Sequence, residues 1–183
     1  MGSHSPGFSG EYQWELDIAR TQLVALADAV PEAIYGWSPV NGARSFSAVL
    51  VHIASVNMGL LRIAGVDFDG WTELYGEEAD VPAMVRRNMS FEGTITDKDA
   101  AIAFLKRSFD AVQQAFHLLS AQDLEKPVDF GESTTVRRIF LRILAHSHEH
   151  MGQAIAYART YGSRMPWPDP LREFESASAK QGT

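Results

Sequence analysis

Four stretches of the chain repeat apolar residues at intervals of three and four, the spacing of one face of an α-helix. Residues 11–29 place Trp14, Ile18, Leu23 and Leu26 on a broad stripe that Pro31 closes. Residues 45–64 open on Ser45, a good N-cap, run through Phe46, Val49, Ile53, Val56, Leu60 and Ile63, and stop before Gly65. Residues 97–119 follow a turn whose Thr96 or Asp97 can cap a helix carrying Ile102, Leu105, Phe109, Val112 and Phe116. Residues 134–161 open on Thr134 or Thr135 and end at Gly162. Between the second and third stretches, residues 66–94 are rich in Asp, Glu and Gly and hold Trp71, Tyr75 and Met84. That pattern predicts an irregular connection with a short helix over residues 81–88, longer than bundle loops usually are. Four long helices with essentially no sheet predict an all-α four-helix bundle over residues 11–170. Residues 1–10 are expected to be disordered or the remnant of a tag, and residues 171–183 a flexible tail.

Composition narrows the function. At 183 residues the chain suits one domain with a real core, and its net charge of −7 argues against nucleic acid or an anionic membrane surface as partner. It contains no cysteine, which excludes disulfides, thiolate metal ligands and a cysteine nucleophile. No apolar run of membrane-spanning length and no basic-then-apolar leader stand out, so a cytoplasmic protein acting on small molecules is expected.

The chemistry concentrates in the fourth helix, where three of the six histidines fall within five residues. His146 and His150, one turn apart and about 40° around the axis, share a face with Ile139, Ile143, Gln153 and Tyr157. His148 lies about 200° from His146 and faces away. His52 sits in the second helix on the face that also holds Val56 and Ile63. Alone, such a residue reads as a buried histidine bonded to a carbonyl or carboxylate. Three histidines on two inward stripes favour one divalent metal ion instead. Glu149, about 60° from His146, either accepts the free N–H of a ligand imidazole or forms a salt bridge at the bundle edge. Gln153, one turn beyond His150, can turn its amide toward the same cavity, while Tyr157 reads as core and Gly152 as a point of close helix approach. His117 and His148 read as solvated residues without a role. Arg159 reads as a surface ion-pair partner, and Arg44, Arg62 and Arg142 are the cations available to an anionic cofactor. A His-Glu-x-x-His protease motif is excluded by Gly152, and phosphate-loop, dinucleotide and nucleophile-elbow glycine patterns are missing.

Residues 37–54 (WSPVNGARSFSAVLVHIA) and 144–162 (LAHSHEHMGQAIAYARTYG) resemble the DinB/YfiT-like superfamily. The resemblance implies a four-helix bundle in up-down-down-up order, often a homodimer. It further implies one zinc or nickel ion held by His52, His146 and His150. It also implies thiol chemistry of the kind that uses mycothiol or bacillithiol. The expected function is a metal-dependent thiol S-transferase acting on a small electrophile, with Glu149 and Gln153 supporting the metal ligands. The alternatives are a metal-dependent hydrolase and a non-catalytic metal-binding stress protein. The aromatic residues of the Trp71 and Tyr75 loop or Trp167 are the expected dimer contacts.

Overall fold

The computed structural model describes residues 7–66, 74 and 81–168. Its long helices are α1 (Phe8–Ala29), α2 (Phe46–Ile63), α4 (Lys98–Leu118) and α6 (Val136–Tyr161). Between them lie α3 (Val81–Phe91), the one-turn helix α5 (Ala121–Leu124) and the strands β1 (Pro127–Asp129) and β2 (Ser133–Thr135). The expected caps are in place. Ser45 Oγ accepts from Ala48 N–H at 3.2 Å, Asp97 Oδ1 from Ala100 N–H at 2.9 Å, and Thr135 Oγ1 from Arg138 N–H at 3.3 Å. Gly162 ends α6 in the left-handed region at φ 91°, a conformation that favours a residue without Cβ.

The packing joins α2 to α4 and α6, and joins α1 to the same two helices. The second and fourth long helices are therefore neighbours, as the sequence predicts, and α3 lies against α2. Because α2 meets three partners, it is buried nearly all round: Phe46, Val49, Leu50, Val51, Ile53, Ala54, Met58 and Leu61 are in the core. This overturns one expectation. Residues 46–63 are long and apolar enough to cross a membrane, yet most of this helix is buried inside the protein. Enclosure by neighbouring helices accounts for the apolarity.

Two further expectations change. Helix α1 begins at Phe8 rather than Glu11, because Phe8 stacks against Tyr12 and Phe116, and Tyr12 and Phe116 each meet Phe140. This aromatic cluster ties α1, α4 and α6 together. Its inward stripe is Tyr12, Leu16, Ala19, Leu23 and Leu26, and Trp14 is half exposed. The chain also makes a small antiparallel hairpin, pairing Pro127 with Thr135 and Asp129 with Ser133 around Gly131 at φ 80°. Strands of three residues are too short to show a two-residue period in the sequence. Of the segment expected to be disordered, residues 1–10, Phe8–Gly10 are helical; there remain its residues 1–6, the expected tail at residues 171–183, and the expected dimer contacts at Trp71 and Tyr75. All of these lie outside the described residues. Trp167 is partly buried and packs against the core.

Candidate metal centre

Helix α2 delivers His52 and helix α6 delivers His146 and His150 to one point. The ring centroids lie 4.9 Å (His52–His146), 4.5 Å (His52–His150) and 4.4 Å (His146–His150) apart. One nitrogen from each ring lies within 4.8 Å of the others. The Nε2 atoms of His52 and His146 are 3.1 Å apart. The α2–α6 packing brings together what the sequence separates by 94 positions.

The opposite ring nitrogens are held by partners that set the tautomers. His52 Nδ1 donates to Glu92 Oε1 at 2.6 Å. Glu92 is itself clamped by Arg44, whose Nε donates to Oε2 at 2.6 Å and whose Nη2 donates to Oε1 at 3.1 Å. Burial alone would raise the Glu92 pKa, but the hydrogen bonds from His52 and Arg44 outweigh it and hold the carboxyl below its ordinary value. The ionised carboxylate only accepts, so the proton stays on His52 Nδ1 and the Nε2 lone pair faces the other histidines. His150 Nδ1 donates to Gln153 Oε1 at 2.8 Å, and Gln153 Nε2 donates to the Tyr157 hydroxyl at 2.9 Å, which keeps the amide oxygen turned to the ring. Tyr157 is braced by the edge of Trp37. His146 is 5 % exposed, and its Nδ1 has no partner among the described residues.

The electrostatics favour neutral rings at His146 and His150. Burial, followed by the neighbouring His150 and His52, pushes the His146 pKa down to about 3. Burial also lowers that of His150, against the opposing hydrogen bond from Gln153. Converging unprotonated nitrogens repel one another unless a cation or a proton lies between them. Three neutral imidazoles with two Nδ1 protons fixed by acceptors are a donor set that fits one divalent ion of the zinc or nickel type.

The other expected site residues divide. Gln153 reaches the centre through His150. Glu149 does not: its carboxylate is exposed and accepts from Arg142 Nη2 at 3.2 Å, because its side of α6 leaves the bundle. Glu92 takes the position expected of Glu149. The sequence carries no periodic signal for Glu92, which stands one residue past α3. In the structure the Glu92 N–H donates to the Asn88 carbonyl, which extends the helix one step. Arg44, considered as a cation for an anionic cofactor, is engaged with Glu92, and Arg142 with Glu149. His117 is exposed and bonded to Gln13, and His148 is half-buried and not part of the three-histidine cluster.

Comparison with known proteins agrees with this architecture. The family model for the DinB superfamily matches residues 15–154. Among solved structures, a DinB-like protein from Bacillus cereus is similar at TM-score 0.62 and 16 % identity, over 87 % of this chain and 93 % of that one. A conserved protein from Enterococcus faecalis gives TM-score 0.65 at 14 % identity, over 85 % and 97 %. The mycothiol-dependent maleylpyruvate isomerase gives TM-score 0.62 at 15 % identity, over 83 % of this chain but only 62 % of that one. At such identities the likeness is one of fold. No curated protein matches the sequence. With the family model covering most of the bundle, the chain belongs to the DinB superfamily.

Proposed function

We propose that this protein is a cytoplasmic, metal-dependent S-transferase in which His52, His146 and His150 hold one divalent ion, zinc or nickel. A low-molecular-weight thiol such as mycothiol or bacillithiol is the nucleophile toward a small electrophile. The observation that carries the reading is the convergence of three imidazoles whose Nδ1 protons, at His52 and His150, are committed to Glu92 and Gln153. A divalent ion held by neutral ligands keeps its charge and an open position, and there it lowers the pKa of a bound thiol or water. The chain has no cysteine, so the thiol comes from outside. The mycothiol dependence of one structural neighbour supports that choice.

The remaining groups act by position. Glu92 keeps the proton on His52 Nδ1 and aims the ring, and Arg44 holds Glu92. Gln153 and Tyr157 do the same for His150. The hydrolase reading is weaker because its expected base, Glu149, is tied to Arg142 at the surface, and Glu92 is engaged by two cationic or N–H partners. A structural metal site would have four protein ligands, whereas three histidines form the cluster among the described residues.

Metal analysis of untagged protein tests the ligand set. One equivalent of zinc or nickel is expected in the parent and in His148→Ala, and most of it should be lost in His52→Ala, His146→Ala and His150→Ala. Stoichiometric metal in His146→Ala would refute the assignment. Cobalt-substituted protein then tests the thiol, through an intense near-ultraviolet band on adding mycothiol or bacillithiol. If neither thiol changes the spectrum while an ester or amide is hydrolysed, the hydrolase reading replaces this one.

A further inference from the structure

Three polar side chains meet in the interior where α2 packs against α4 and α6. Asn57 on α2 accepts from the Ser147 hydroxyl of α6 at 3.4 Å, and its amide donates to the Ser108 hydroxyl of α4 at 3.4 Å. Ser108 donates in turn to the Leu105 carbonyl at 2.8 Å. All three side chains are wholly buried. Ser147 follows His146 directly, and Asn57 lies five residues after His52, about 7.5 Å along α2. The α2–α6 interface is therefore pinned at two points, His52 against His146 and Asn57 against Ser147. Two points on one pair of helices fix both the sliding and the rotation of one on the other.

Apolar packing fixes α2 poorly. Val49, Leu50 and Val51 are consecutive, point about 100° apart, and are all wholly buried, so turning the helix exchanges one apolar contact for another. Asn57 has no such freedom. Turned away from Ser108 and Ser147, its amide would stand unpaired in the interior, which costs more than the bonds in place contribute. Both bonds are long, so they add little stability where they are and act by excluding the alternatives. From this placement we infer that Asn57, Ser108 and Ser147 are positioning residues for the metal centre: they set the register of α6 on α2 that brings His146 to His52. They touch neither metal nor substrate and act through the two helices. A metal site holds its ligands to within about 0.5 Å, whereas a slip of one residue moves a helical side chain about 1.5 Å along the axis and about 100° around it. The inference deepens the metal reading above and rests on it, and the test separates the two.

The informative variant is Asn57→Leu, because leucine has the same branching as asparagine and no polar atom. It strands no hydroxyl: Ser108 keeps the Leu105 carbonyl, and Ser147 can turn to a carbonyl of its own helix. Zinc affinity, measured by competition titration, should fall about tenfold. The denaturant midpoint of the metal-free protein should stay level or rise. In cobalt-substituted protein the visible bands should change shape, reporting altered ligand geometry. In metal-free protein the nuclear Overhauser contact between the His52 and His146 rings, whose centroids are 4.9 Å apart, should weaken. With a parent that binds zinc, unchanged affinity in Asn57→Leu overturns the inference. A loss of affinity matched by an equal loss of metal-free stability also overturns it, since that marks a role in the fold alone. If Asn57→Leu does not fold, Ser147→Ala, which removes one hydroxyl, carries the same comparison. If the parent binds no zinc, the metal reading falls, and the ring contact decides the register by itself: kept in the variant, it overturns the inference, and lost, it sustains it.

Discussion

Glu92 has the largest leverage of any single residue outside the three histidines. It joins His52 to Arg44, and it is nearly buried, so both of its partners depend on its charge. Removing an orienting carboxylate typically weakens a metal site 10–100-fold. Glu92→Ala is therefore expected to lower zinc affinity by roughly that factor in competition titrations. Glu92→Gln should recover part of it, because the amide oxygen still accepts from His52 Nδ1. An unchanged affinity in both variants would show that His52 is oriented by other means. The histidines also predict a pH dependence for the metal-free protein. The fold holds the His146 pKa at about 3, below its ordinary value of 6.5, so the neutral ring is the form the native state favours. Its contribution is complete above about pH 6.5 and is lost as the pH falls from there toward 3. The melting temperature of metal-free protein should therefore drop between pH 7.5 and pH 5, and His146→Leu should drop less. Protons compete for the same lone pairs, so zinc affinity should fall over that window too.

At the scale of elements, α2 and α6 carry the site and their ends are set by local chemistry. Ser45 caps α2 seven residues before His52, and Gly162 closes α6 after Tyr161. Ser45→Ala should cost about 1 kcal/mol through the lost cap. Gly162→Ala should also cost about 1 kcal/mol, although no neighbouring atom blocks a Cβ there, because its φ of 91° strains any residue with a side chain. Denaturant melts of metal-free protein measure both. Neither change touches the histidines, so zinc stoichiometry should remain at one. The helix stripes were legible in the sequence where one face alone is buried. The α4 stripe Ile102, Leu105, Phe109, Val112 and Phe116 is buried throughout. On α1 the sequence places Trp14 on the inward stripe, as a large aromatic residue suggests, but Tyr12 holds that place in the cluster with Phe8, Phe116 and Phe140. The hairpin carries no period in the sequence because its strands are three residues long.

For the whole molecule, metal binding and folding are one linked equilibrium, since the ligands come from two helices that meet only in the folded state. Zinc at 100 times its dissociation constant should stabilise the native state by about 2.7 kcal/mol. For a chain of this size that raises the melting temperature by roughly 5–10 °C. The shift should vanish in His52→Ala. Because Glu92 ties the end of α3 to His52, zinc should also slow amide hydrogen exchange across Val81–Phe91. Exchange there that ignores the metal would show that α3 is docked independently of the site.

The sequence by itself determined the helices, their caps, the lack of thiol chemistry within the chain and the histidine pair on one face of α6. These follow from interactions within a few residues: periodic burial, side-chain caps and the i to i+4 geometry of a helix. It also singled out His52 as an inward residue. Only the tertiary structure decided that the fourth-helix pair meets His52 and that Glu92 rather than Glu149 orients the centre. Each of these depends on contacts spanning 40 to 94 positions. The packing of α2 against α3 and α6 sets such contacts, and no local pattern in the chain encodes them.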